Sequence, residues 1–163
     1  MIAFDVLGSP APKGSPRPVI RGGRAFLTPS HSATGQRRLK DWNSAVRAQA
    51  VDAIVDLGDS APSGPLFVGV PLAMELTFRM VRPAGHWGKR GLKPSAPSAP
   101  ATKPDIDKLT RSTLDCLTGL VFDDDSRVVE LVVRKVYADP GREGARIVVR
   151  ALGELVSRGT EAA

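Results

Sequence analysis

The sequence predicts an α+β fold in one small domain, with short strands sharing a core with two main helices. Three observations carry that expectation. Apolar and polar residues alternate with period two in several short runs, which suits strands with one buried face. Two longer runs repeat their apolar residues at steps of three or four, which suits helices lying on that face. No segment repeats another, and 163 residues with 42% hydrophobic and 25% charged content suffice for one ordinary core.

The elements follow in order. Residues 2–7 (IAFDVL) alternate as a strand and run into GSPAPKGSPRP, whose prolines and glycines forbid regular structure. Residues 19–27 hold two short extended runs about Gly22 and Gly23, the pattern of a hairpin. Across residues 34–57, Leu39, Trp42, Val46, Ala50, Ala53 and Leu57 fall at helical steps, and residues 58–65 end that helix. Residues 66–81 are β-rich, with Leu72, Met74, Leu76, Phe78 and Met80 on one face. Residues 83–104 contain five prolines and three glycines without periodicity, which predicts a long mobile surface loop. A second helix is expected at Ile106–Leu117, then strands at Val128–Tyr137 and residues 146–152 joined by a polar loop. Residues 1–155 thus make the domain and 156–163 a flexible tail. Trp42 belongs to the core, His31 and His86 to loops, and Cys116 reads as a buried small apolar group.

Composition narrows the function classes. A lone cysteine makes no internal disulfide, and with two histidines it offers no zinc spacing. The N-terminus lacks a leader pattern, and no apolar run reaches the ~18 residues of a membrane span, so the expectation is a cytoplasmic protein with no membrane partner. The GLVFD stretch is no phosphate loop, so no nucleotide cofactor is expected. Net charge is +6, yet residues 102–126 hold six Asp against Lys103, Lys108 and Arg111. The remainder is therefore more basic still, which would attract a polyanion such as nucleic acid through phosphate contacts. A merely solubilising basic surface has the same composition.

Within the acidic stretch, Asp105 and Asp107 straddle a helix start, where Pro104 stops any helix from upstream. Inside a helix, side chains two residues apart diverge by about 200°. With Asp105 at an extended cap and Asp107 in the first turn, both carboxylates can face one point near the positive end of the helix dipole. A hard divalent cation such as Mg²⁺ prefers carboxylate oxygens and keeps several waters, and Asp123, Asp124 and Asp125 can supply a third ligand. Taken singly, a helix-start Asp is ordinarily a cap and a triple Asp is solvated turn chemistry. Their combination in a basic chain points to metal, because uncompensated carboxylates weaken nucleic-acid binding.

The string KPDIDKLTRSTLDCLTGLVFDDDSRVVEL resembles the signature region of the RusA family of Holliday junction resolvases, the crossover junction endodeoxyribonucleases. In that family an acidic D-x-D opens a helix and a later Asp-Asp precedes a strand. GSPAPKGSPRP, the hairpin and the LTPS segment resemble the opening of the phage-type branch, so the similarity spans residues 2–150. The resemblance implies a mixed β-sheet with two main helices packed on it. It also implies a homodimeric, Mg²⁺-dependent endonuclease, with Mn²⁺ able to substitute, that resolves four-way junctions by paired symmetric nicks in DNA recombination and repair.

Carried over residue by residue, the metal-holding acids are Asp105, Asp107 and Asp125, with Asp124 as a neighbouring substitute. Arg111 stands where the family often has a catalytic Lys, and Lys108 where Asn often follows the D-x-D, so the catalytic cation is Arg111 or Lys108. The chemistry implied is metal-assisted phosphodiester hydrolysis. Lys13, Arg17, Arg21 and Arg24, with Lys89, Arg90, Lys93 and Lys103, are candidates for gripping branched DNA, and Lys135 resembles a recurrent basic position. Two other readings share these residues: a catalytically weak branched-DNA-binding protein, and a cation-stabilised interaction domain in which the triple Asp is a calcium turn.

Overall fold

The structure, a computed structural model, describes residues 1–14, 17–28, 32–58 and 61–154. The expected tail, His31 and the end of the LTPS segment lie outside the described residues. In chain order the elements are β1 (Ile2–Leu7), β2 (Arg17–Arg21), β3 (Arg24–Thr28), α1 (Ala33–Val55), β4 (Leu72–Met80), β5 (Trp87–Gly88), β6 (Gly91–Leu92), α2 (Ile106–Leu117), β7 (Val128–Tyr137) and β8 (Gly144–Ala151). Four strands form one sheet in the order β1-β8-β4-β7. β4 pairs parallel with β7 and antiparallel with β8, and β1 closes the other edge antiparallel to β8, so the sheet is mixed as expected.

Both helices pack on one face. α1 lies against β1 and α2, and α2 against β7. The period-four positions Trp42, Val46, Ala50 and Ile54 are the buried residues of α1, with Val46 and Ile54 each stabilising the fold by about 1.5–3 kcal/mol. They meet Ile2, Phe4 and Val6 of β1, Leu72, Met74, Leu76 and Phe78 of β4, Ile147 and Val149 of β8, and Leu109 and Leu117 of α2. Cys116 lies in the same core, where burial pushes its thiol up to about 11. The opposite sheet face is open and polar, with Asp5 holding Arg79 at 2.6 Å and Arg146 at 2.7 Å.

Three local outcomes differ from the sequence expectation for identifiable reasons. β4 begins only at Leu72, because Pro71 cannot donate to a ladder and Gly69 takes φ 68. Residues 66–69 instead reach across to the loop after α2, with Phe67 bridging Phe122. α1 stops two residues before Leu57, which is left exposed, and Gly58 turns the chain with φ 59. The proline-rich stretch expected to be a mobile surface loop without regular elements contains a 3₁₀ turn at Ala84–His86 and the small β5–β6 hairpin. Arg82 fastens it, donating to the Pro97 carbonyl at 2.9 Å while its guanidinium stacks 3.9 Å over the Tyr137 ring at the end of β7. Among the described residues no helix is long and apolar enough to cross a membrane.

Candidate active site

α2 is the platform of the candidate site, and its neighbours fix it. Ser112 Oγ donates to Asn43 Oδ1 of α1 at 3.1 Å, and Arg47 of α1 donates to the Cys116 carbonyl at 2.8 Å. That guanidinium sits where a helix end presents unpaired carbonyls and partial negative charge. From the other side, the N-terminal loop runs along the helix, with the Lys13 amide bonded to the Lys108 carbonyl and Lys13 Nζ paired with Asp115 at 2.6 Å. Lys13 is thus engaged with α2, although its charge still contributes to the local field.

Asp105 is the N-cap residue, with extended backbone (φ −68, ψ 140), but its side chain makes no capping bond. The carboxylate is exposed and has no partner among the described residues. Lys135 Nζ donates to the carbonyls of Thr102 at 2.8 Å and Pro104 at 2.9 Å, so β7 holds the main chain directly ahead of Asp105. Asp107, in the first turn, pairs with the Lys108 ammonium at 2.7 Å, and that hydrogen bond holds its carboxyl below the usual range. Arg111, one turn further along, is exposed and has no partner among the described residues.

The triple Asp divides by role. Asp123 bonds the Arg127 guanidinium and the Gly69 amide, contacts that lower its pKa, the Arg127 bond most. Asp124 caps the 3₁₀ turn at Asp125–Arg127 by accepting from the Ser126 amide at 2.8 Å, and hydrogen bonding from Ser126, first its side chain and then its amide, favours the ionised form. The Asp125 side chain is exposed and has no partner among the described residues. Of the run, Asp125 is therefore the carboxylate with full coordination capacity.

The structure does not bring these acids together within one chain. Asp105 and Asp107 occupy the first turn of α2, whereas Asp123 to Asp125 follow its last turn, beside Gly69 ahead of β4. A helix of 12 residues, about 18 Å long at 1.5 Å per residue, lies between the two groups. Among the described residues no three His, Cys, Asp or Glu side chains gather as a metal site.

The proposed gripping residues fall largely on two hairpins. Arg21 and Arg24 are exposed and directly opposite across the Gly22-Gly23 turn of β2–β3, whose φ values of 56 and 74 suit a type I′ turn. Facing like charges cost stability unless an anion joins them. Lys89 and Arg90 form the exposed tip of β5–β6, while Lys93 Nζ is engaged with the Gly85 carbonyl at 2.8 Å. Lys103 is exposed beside Pro104. Arg17 belongs to β2, but its side chain lies outside the described ones. Sequence reasoning missed Asn43, Arg47 and the carbonyl-bonding geometry of Lys135. For Asn43 and Arg47 the available signal was their position one residue beyond Trp42 and Val46 on the apolar stripe.

Two comparisons bear on this arrangement. The chain is 28% identical over 144 residues to the uncharacterized protein YqaN of Bacillus subtilis (strain 168), covering 86% of this chain and 91% of that protein. The family model described as endodeoxyribonuclease RusA matches residues 8–150, which include α1, the D-x-D at the head of α2, the acidic turn, β4, β7 and all but the last residue of β8. By that match the chain belongs to the RusA family of endodeoxyribonucleases.

Proposed function

We propose that this chain is a divalent-metal-dependent endonuclease that cuts four-way DNA junctions as a homodimer. The observation that carries the reading is that the carboxylates of Asp105 and Asp125 have no partner among the described residues, on a chain of net charge +6. An exposed acid without a partner serves no packing purpose and opposes DNA binding, unless a cation completes it. The donor set fits a hard ion such as Mg²⁺, which takes carboxylate oxygens and retains waters. Because a helix about 18 Å long lies between the two acid groups on one chain, Asp105 and Asp107 of one protomer with the partner's Asp125 would hold the ion. Such a shared site would require a homodimer and would give it two sites for paired nicks. When bound, the ion supplies positive charge against the scissile phosphate and eases proton loss from the attacking water.

The chain's own residues divide the remaining work. Lys135 fixes the backbone ahead of Asp105, so the carboxylate is presented without searching rotations of its segment. Arg111 shares a helix face with Asp107 and offers a cation to the charge that develops on phosphorus-bound oxygens. Arginine stays protonated, so it stabilises charge and does not act as a general acid. Lys108 is already spent on Asp107. Arg111→Ala should therefore slow cleavage by roughly 100-fold with little loss of junction affinity, Arg111→Lys should restore most of it, and Lys108→Ala should be the milder change. Single-turnover rates with a gel-shift affinity on the same junction check this, and the reverse ranking would transfer the role to Lys108.

The function itself is tested by cleavage across a four-way junction, a flap, a fork and linear duplex. Mg²⁺ or Mn²⁺ should support nicking of the junction, whereas Ca²⁺, with its longer bonds and looser geometry, should support binding with little turnover. Undiminished cutting in EDTA would overturn metal dependence. Equal cutting of linear duplex would overturn junction specificity.

A further inference from the structure

We infer that the free edge of β7 is the self-association surface, and that two copies pair antiparallel in a register centred on Val132. The inference rests on the homodimer reading above and adds to it the surface and the register.

β7 is the last strand in the sheet order, so one side of its 10-residue backbone has no neighbour among the described strands. It also carries an unusual apolar load for an open edge, with Val129 62%, Leu131 43%, Val132 44% and Val136 38% exposed. Long apolar edges are normally covered, charged or broken, because their unpaired N–H and C=O groups recruit another strand. The opposite edge, β1, is shorter, and its Asp5 is tied into ion pairs.

The charges on β7 choose both occupant and register. Glu130, Val132 and Arg134 lie on the same sheet face, opposite Ala73, Glu75 and Thr77 of β4. They read Glu-Val-Arg outward from a central valine, a pattern complementary to itself under a two-fold axis. Antiparallel pairing about Val132 sets Glu130 against the partner's Arg134 and Arg134 against the partner's Glu130. Val132 then meets the partner's Val132. Centring on Glu130 or Arg134 instead would face like charges across the axis, and centring on Leu131 or Val133 would leave each charge opposite a valine. Glu130 already reaches Arg150 at 3.4 Å but stays largely solvent-accessible, and Arg134 has no ion pair among the described residues, so both can turn to a second chain. The same register sets the start of one β7 beside the end of the other. That carries Asp125 towards the segment the partner's Lys135 holds, which is the juxtaposition a shared acid set needs.

The test uses full-length chain and two readouts. Val132→Cys should form a disulfide-linked dimer on mild oxidation, because a residue on the axis faces itself at a Cα separation of about 4.5–5.5 Å, within disulfide reach. The wild type gives a clean background, since Cys116 is buried with its thiol pushed up to about 11. Glu130→Arg and Arg134→Glu should each raise the dimer dissociation constant by roughly tenfold or more, and the double reversal should bring it back to within about threefold of wild type. A wild-type monomer at micromolar concentration in sedimentation would sink the homodimer reading itself. A wild-type dimer whose single reversals stay dimeric, and whose Val132→Cys form does not cross-link, would leave that reading standing and overturn this interface.

Discussion

Asp125→Asn should lower junction cleavage by roughly 1,000-fold while leaving junction binding intact or tighter, and Asp105→Asn and Asp107→Asn should do the same. The substitution keeps size and most hydrogen bonding but removes a ligand charge, and it relieves repulsion between the carboxylate and DNA phosphates. Asp124→Asn should be milder, because that side chain already serves the Ser126 amide and its amide form can still accept this bond. The arrangement of α2 gives a sharper version of the experiment. Asp105→Asn and Asp125→Asn chains should each be inactive alone, yet on the proposed shared site mixed dimers would contain one intact set, with Asp105 and Asp107 from one chain and Asp125 from the other. Statistical mixing should recover roughly a quarter of wild-type nicking, as single unpaired cuts, since half the dimers are mixed and each has one working site. A mixture that stays inactive although both variants dimerise would place each complete acid set within one chain.

How much of this was legible in the sequence depended on whether the information was local. The bounds of α2 and β7 fall at Ile106–Leu117 and Val128–Tyr137 as the sequence predicts, because Pro104 blocks the helix upstream and the change of hydrophobic period marks the strand. Cys116 and Trp42 lie in the core for the same reason. The sheet order was not legible, since β4 pairs with β7 and β8, both distant in the chain, and nothing local encodes that choice. The acids show the limit most clearly. Spacing correctly put Asp105 at the cap and Asp107 in the first turn, but it could not say that the intervening helix separates them from Asp125 within a chain. Neither could it say that Asp123 and Asp124 are occupied by Arg127 and Ser126. Those facts depend on side-chain contacts.

Gly144→Ala should be the most damaging single methyl that can be added to the described sheet, lowering the melting temperature by roughly 10 °C or more, or preventing folding. Gly144 opens β8 opposite Leu7 with φ 148, a conformation side-chain-bearing residues rarely adopt. A Cβ there would overlap the carbonyl oxygen of Val6, and backbone cannot rotate aside as a side chain can. Relief requires β1 to move away from β8, which withdraws the fully buried Val6, with Phe4 and Ile2, from the packing under α1. Strain and lost packing together cost about 4 kcal/mol, a large fraction of a domain's net stability. The damage also reaches the site, because β1 leads into the loop whose Lys13 binds Lys108 and Asp115 of α2. Gly141→Ala is the matched control. It too has positive φ, at 76, but its Cβ would meet nothing within 4 Å, so only the backbone strain of about 1 kcal/mol should appear. Thermal and urea unfolding of the two variants decide the matter: a Gly144→Ala chain as stable as the Gly141→Ala chain would mean that β1 and β8 do not approach as closely at this corner as the register requires.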